Sequence, residues 1–385
     1  MSKIYFYLLV VFIMSITCKK ERKHDEIIIN PENVIEKEFL LSDFAEETMY
    51  IPLDNQVIFK GIGVRSFEVI NNFFVVGTND EGFLVYDMKG NYINRIGRKG
   101  RGPGEYQFTS YFTVDSQSEL IYIYDFNKII TYTIKGELIR EFSMDEYEDR
   151  FSSILYHNGD LFLAGNLNLG YAKYDWIIID TLGNLKSYKF NTIPQFETNI
   201  YGRSGFIKSN RIFYWNEFND TIFQLYNDSY KPAMYFARGD FRKPHSRINW
   251  EVFPKYFNPG WFIKSKDNLF FSYLLNGKQY LTLINKRNGY LELINKGTNS
   301  WIGYQAGIIN DLDGGPDFFP FYHFEENGEE FLFTWFFAYQ LIAYIKSDKF
   351  RDSTPIFPEM KYQLEELAAS LDENDNQVLM IVRLK

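Results

Sequence analysis

Five turn residues punctuate this chain at nearly regular distances. Gly90, Gly136, Gly183, Asp228 and Gly289 each precede an alternating strand, and they stand 46, 47, 45 and 61 residues apart. A recurring unit constrains the fold more than any single motif does, because each copy is one supersecondary element that has to stack on its neighbours. The clearest copies are "FFVVGTNDEGFLVYDMKGNYINRIG" from Phe73 and "LIYIYDFNKIITYTIKGELIREF" from Leu120. Three more begin at Asp160, Arg211 and Asn268, and a sixth unit starts near Trp301 and runs through "FPFYHF" and "EEFLFTWFF".

Inside each copy the apolar positions recur at every second residue. In "LIYIYDFNKIITYTIKGELI" the residues Ile121, Ile123, Ile130, Tyr132 and Ile134 fall in period-two sets, with turns at "FNK" and "KGE". That is the pattern of antiparallel strands joined by hairpins, and it excludes a helix, whose period is near 3.6. Four strands in about 45 residues is the size of one propeller blade. A four-stranded sheet with two apolar faces buries neither alone, whereas a closed ring of sheets buries both. With 29 Tyr and 38 Phe, the chain has the bulky side chains that fill wedges between twisted sheets. A single large sandwich would leave the period unexplained. The expected fold is therefore all-β, a six-bladed β-propeller of four-stranded antiparallel blades occupying residues 47–385.

Both ends depart from the repeat. "AYQLIAYIKSDKF" and "MKYQLEELAASLDEN" have helical spacing, with Leu364, Leu367 and Leu371 on one side, and "QVLMIVRLK" returns to strand. The short C-terminal helices should thus precede a strand that pairs with "TMYIPLD" in the last blade and clasps the ring. At the other end, Lys3 and the 13-residue apolar run Ile4–Ile16 read as an export signal, too short to span a bilayer. It leads to Cys18, the single cysteine of the chain, within "SITC". The expectation is a signal peptide over residues 1–17, lipidation at Cys18 and a lipid-anchored tether over residues 18–46.

These features resemble a known group. "RIGRKGRGPGEYQFTSYFTVDSQSELIYIYDFNKIITYTIKGELI" is similar to an NHL-type propeller repeat. The lipobox-like "SITC", "GRGPGEY", "NDLDGGPDFFP" and "LAASLDENDNQVLMIVRLK" together resemble the bacterial six-bladed β-propeller lipoproteins. Two positions depart from the lipobox pattern, since Ser15 stands where Leu is usual and Thr17 where Gly or Ala is usual. Before the final strand, Gln377 departs from the family's pattern, in which Pro follows the Asn. The resemblance implies an exported, membrane-anchored propeller and assigns it no general activity.

The candidate chemistry is sparse. "GRKGRGPGEY", Gly97 to Tyr106, lacks the GxxxxGK[ST] order of a phosphate loop, precedes an alternating segment where a dinucleotide site needs a helix, and carries Glu105. It reads as a corner between blades. Asp311, Asp313 and Asp317 offer oxygens suited to Ca2+ but lack EF-hand spacing, and no other cofactor is implied. His24, His157, His245 and His323 are isolated, which gives zinc no support. Ser204, beside Arg203, has no recognisable base. The long loop "FRKPHSRINWEVFPKYFNPGW" carries Arg242, Lys243, Trp250 and Trp261, and these with Arg203 and Trp301 are the expected binding residues.

A net charge of −9 argues against a nucleic-acid partner. The expected protein is a monomeric, non-enzymatic envelope module that binds a protein or glycan through its loop face or channel and the membrane through its lipid. The alternative is a propeller-type hydrolase or lyase, with or without Ca2+, acting on a glycan or small ester. Convergent channel carboxylates would favour that enzyme.

Overall fold

The alternation read in the sequence becomes a ring of sheets in a computed structural model of the chain. It describes residues 27–59, 63–167, 171–199, 202–209, 211–226, 229–286, 289–298 and 307–385. Cys18, the export signal and Trp301 lie outside the described residues.

Six antiparallel sheets follow one another. Blade 1 comprises Val64–Ile70, Phe73–Thr78, Phe83–Asp87 and Tyr92–Ile96. Blade 2 comprises Phe112–Asp115, Leu120–Asp125, Lys128–Thr133 and Leu138–Ser143. Blade 3 is Phe151–His157, Asp160–Gly165, Tyr174–Asp180 and Leu185–Phe190. Blade 4 is Ser204–Lys208, Ile212–Asn216, Thr221–Leu225 and Tyr230–Phe236. Blade 5 is Asn258–Lys264, Leu269–Leu275, Lys278–Ile284 and Leu291–Thr298. Blade 6 joins Tyr322–Glu326, Glu329–Phe336 and Val378–Leu384 to Ala45–Pro52, so the clasp expected from the sequence is present. Asn-Gly pairs close several hairpins. Asn158–Gly159, Asn276–Gly277 and Asn327–Gly328 all have positive φ at both residues, as a two-residue turn matched to the strand twist requires.

The core lies in the wedges between blades. Along Val378–Leu384, Leu379 and Ile381 pack with Phe67, Phe74 and Leu84 of blade 1. Met380 and Val382, on the opposite face, pack with Phe270 and Leu281 of blade 5. One strand of period two thus serves two wedges. The aromatics do the filling, as where Phe67 stacks on Phe333 at 3.9 Å between blades 1 and 6.

Three helices, α1 (Ala338–Ile345), α2 (Asp348–Arg351) and α3 (Pro358–Ser370), interrupt blade 6. Leu341, Phe350, Leu364 and Val378 hold them to the sheet, and Leu367 and Leu371 pack against that cluster. Among the described residues no helix is long and apolar enough to cross a membrane. The turn before Val378–Leu384 does without its proline. Asn376 donates to Asp54 O and Val57 O, both at 2.8 Å, and accepts from Phe59 N.

The stretch expected as a tether needs correcting from Ile27 onward. Ile27–Ile29 pairs in parallel with the outer strand of blade 4, and Val34–Glu36 pairs likewise with that of blade 5. Three-residue strands are too short to show alternation, so their sequence looks like linker.

The glycine-rich corner is a corner. It joins Tyr92–Ile96 to Phe112–Asp115 and closes on itself through Arg98–Lys99 and Glu105–Tyr106, which pair in parallel. Glu105 accepts from Gly102 N at 2.8 Å and pairs with Arg98 at 2.5 Å. The fully buried Tyr106 donates to Ile96 O at 2.7 Å and accepts from Phe83 N at 3.1 Å. Gly97 has φ +55°, and a Cβ there would stand 2.5 Å from the Tyr132 hydroxyl. A side chain at this position meets both a backbone penalty and a neighbouring blade.

Candidate functional site

The first strand of each blade is the inner one, and inner strands of successive blades neighbour one another around the channel. At the end where those strands begin, blades 2 to 5 border a cavity of about 550 Å3. Its wall includes Tyr111, Ser153, Arg203, Phe206 and Trp261. Blade geometry is what makes these residues converge.

Trp261 owes its position to a local irregularity. The register between Asn258–Lys264 and Leu269–Leu275 shifts between Pro259 and Phe262, and such a bulge re-aims a side chain. Gly260 lets the strand approach Ser272, whose hydroxyl accepts from Trp261 N at 3.1 Å. The indole lies against Phe321 at 5.5 Å and Phe319 at 6.2 Å and remains 37% exposed. Across the cavity, Ser204 donates to Gly165 O at 2.6 Å and lies 2.9 Å from Ser152 Oγ.

Behind Arg203 lies a buried charge network. Glu217 and Lys243 form an ion pair with both side chains 1% exposed. Glu217 also accepts from Arg203 N at 2.9 Å, while the Arg203 guanidinium stays 3.9 Å from its carboxylate. Arg238 and Arg242 pair with Asp220. Burial pushes the Lys243 ammonium down to about 8 against the pull of Glu217, and burial likewise pushes Arg238 down to about 10. Deeper in the channel Tyr322 donates to Glu68, whose pKa burial raises while Lys208 opposes the rise.

Of the residues singled out in the sequence, Arg203 and Trp261 meet on the cavity wall. Lys243 is a correction, since the buried pair leaves its ammonium no access to a ligand. Arg242 is spent on Asp220, and the half-exposed Trp250 rests on Phe253 at the loop surface. Tyr111, Phe206, Ser110, Ser152 and Ser153 were missed, while Ser204 was weighed only as a nucleophile. Each sits just before an inner strand or within its first three residues, a signal that acquires meaning once inner strands are known.

The three aspartates do not converge on one point. Asp311 accepts from Ser42 N and Oγ at 2.9 and 2.6 Å. Asp313 is buried and takes bonds from Thr48, Asn310, Tyr50 and Gly315 N. Asp317 pairs with Lys349 at 2.7 Å. They tie loop to strand and helix, and the calcium expectation loses its geometric basis.

Among the described residues, the group whose ligand atoms do approach within 4.8 Å is His323, Glu325 and Glu330. His323 Nε2 lies 2.9 Å from Glu330 Oε1, which also accepts from Lys266 N. Lys264 faces this group, with Lys286 beside it, and burial pushes it down to about 8. Glu330 is already engaged by His323 and a backbone N–H, and the nearby Lys264 ammonium opposes a bound cation.

His323 carries a pH prediction. Burial holds its pKa below the ordinary 6.5 despite Glu330. Between the folded pKa and 6.5 the unfolded chain binds more protons, so stability present above that window is lost as pH falls through it. The drop in melting temperature from pH 7.5 to 5 should be smaller in His323→Gln than in the parent protein; equal drops would contradict the assignment.

A sequence profile described as a domain of unknown function, DUF4934, matches residues 26–383. The chain belongs to the DUF4934 family. Among curated proteins none matches the sequence. The DUF4934 chain is similar to a candidate exported protein of Bacteroides fragilis, at 19% identity and a TM-score of 0.65, over 93% of this chain and 99% of that one. That likeness shares the fold. More distant resemblances include a candidate oxidoreductase (glucose dehydrogenase) of Thermus thermophilus, at 10% identity and TM-score 0.42, covering 87% of this chain and 100% of that one. Another is the Pan2 WD40 domain of Neurospora crassa, at 14% identity and TM-score 0.38, covering 70% of this chain and 71% of that one.

Proposed function

We propose that this DUF4934 protein is an exported, non-enzymatic binding module whose ligand enters the channel mouth and rests on Trp261. The observation that carries the reading is the composition of the wall. Aromatic rings, serine hydroxyls and one arginine line it, and among its described residues there is no carboxylate to serve as acid, base or nucleophile. Its volume of about 550 Å3 suits a small ligand or the end of a longer one.

The apolar run before Cys18 supports export, and lipid on Cys18 would place the propeller at a membrane. Eight residues, Lys19–Glu26, separate that cysteine from the strand pinned to blade 4. Fully extended they span about 28 Å, which keeps the propeller close to the lipid surface.

A glycan array, run beside a pull-down from the native membrane, tests the reading. Captured ligand should bind Trp261→Ala at least about ten-fold more weakly, since buried aromatic anchors dominate such sites. Undiminished binding by the variant would move the site elsewhere.

A further inference from the structure

The charge network behind the mouth is cationic in a chain whose net charge is −9. Arg203, Arg238, Arg242 and Lys243 face two carboxylates, Glu217 and Asp220, so this group carries two positive charges in excess. The buried Lys243 neutralises Glu217 at close range, which leaves the half-exposed Arg203 guanidinium, at 3.9 Å, with little of that carboxylate's charge. A second guanidinium stands at the rim. Arg65, exposed on the inner strand of blade 1, lies 3.4 Å from the hydroxyl of Ser110, a residue of the cavity wall. Among the described residues no acid forms an ion pair with it. Arginines whose charge is not fully balanced, one sharing its carboxylate with Lys243 and one with no ion-pair partner among the described residues, raise the local concentration of anions beside a concave wall.

The rest of the wall narrows the anion's chemistry. Trp261 and Tyr111 offer flat rings, and Ser110, Ser153 and Ser204 offer hydroxyls. Rings stack on the apolar faces of sugars, and hydroxyls match sugar hydroxyls as donors and acceptors. We propose that the mouth takes an acidic saccharide, with a carboxylate or sulfate held between Arg65 and Arg203 and a sugar ring on Trp261. This rests on the binding function proposed above and names its ligand class.

Calorimetric titration of the full mature chain with hexagalacturonate, a heparin hexasaccharide and neutral cellohexaose tests it. One acidic probe should bind at least about ten-fold more tightly than cellohexaose, and added salt should weaken it. Binding the carboxylate probe more tightly assigns a uronate, and the sulfated probe a sulfate ester. Arg203→Gln and Arg65→Gln should each weaken the acidic probe about ten-fold, the scale of a lost charge-assisted bond, without changing the melting temperature. Cellohexaose binding equally well, or acidic binding indifferent to both arginines, would overturn the acidic assignment and leave the mouth as a binding site. If no probe or array glycan binds while a protein captured in the pull-down still requires Trp261, the saccharide assignment falls alone. If that ligand ignores Trp261, the mouth itself falls.

Discussion

Truncation of the chain before Val378 is expected to abolish cooperative unfolding. The lost strand is the third of blade 6, and Ala45–Pro52 pairs with it as the fourth. Val378, Leu379, Met380, Ile381 and Val382 are each at most 1% exposed. At about 1.5–3 kcal/mol for each buried side chain, their removal forfeits on the order of 10 kcal/mol, comparable to the whole net stability of a domain. The loss also frees the N-terminal strand and opens the wedges shared with blades 1 and 5. Calorimetry should show a broad transition or none, and a sharp transition within a few degrees of the parent would refute the clasp. Supplying the strand as a peptide should partly restore the transition, which separates lost closure from general misfolding.

Glu217→Gln is expected to cost about 3–5 kcal/mol, the usual penalty for stranding one partner of a buried ion pair. The observation behind it is the geometry of Lys243, 1% exposed, which would then be left among Arg203 and Arg238 with no carboxylate of its own. Lys243→Met should cost less, because Glu217 would keep the Arg203 backbone N–H at 2.9 Å. Replacing both by Leu and Met should recover much of the loss. The single variant has a pH signature as well. With Glu217 gone, the Lys243 pKa falls further below its unfolded value of 10.5, so the unfolded chain binds more protons and stability rises with pH. Denaturant titrations at pH 6 and 9 read both effects. Parent-like stability of Glu217→Gln at pH 6 would show that the pair does not anchor the long loop.

The blades were legible because their signals are local. Alternation in "LIYIYD" and "KIITYT" decides which side chains share a face, and Gly136 turns the chain between strands whatever surrounds it. The final strand was legible for the same reason. Ile27–Ile29 and Val34–Glu36 were not, since three residues carry no period and their strand character comes entirely from the outer edges they join. The long loop after blade 4 was legible as a loop. The role of its lysine was not, because Glu217, which makes Lys243 a buried partner, lies 26 positions earlier in the chain.

The sequence by itself determined the propeller: strand, turn and repeat depend on neighbours along the chain, and a repeat of about 46 residues with two apolar faces has to close into a ring. Only the tertiary structure decided the site. Arg65, Tyr111, Arg203 and Trp261 come from four different blades; the sequence singles out Arg203 and Trp261 as binding residues, but nothing in it brings them together, and nothing local distinguishes Arg65 or Tyr111 from other residues at strand starts. Ring closure brings those starts around one channel, and a register shift beside Pro259 turns Trp261 into it.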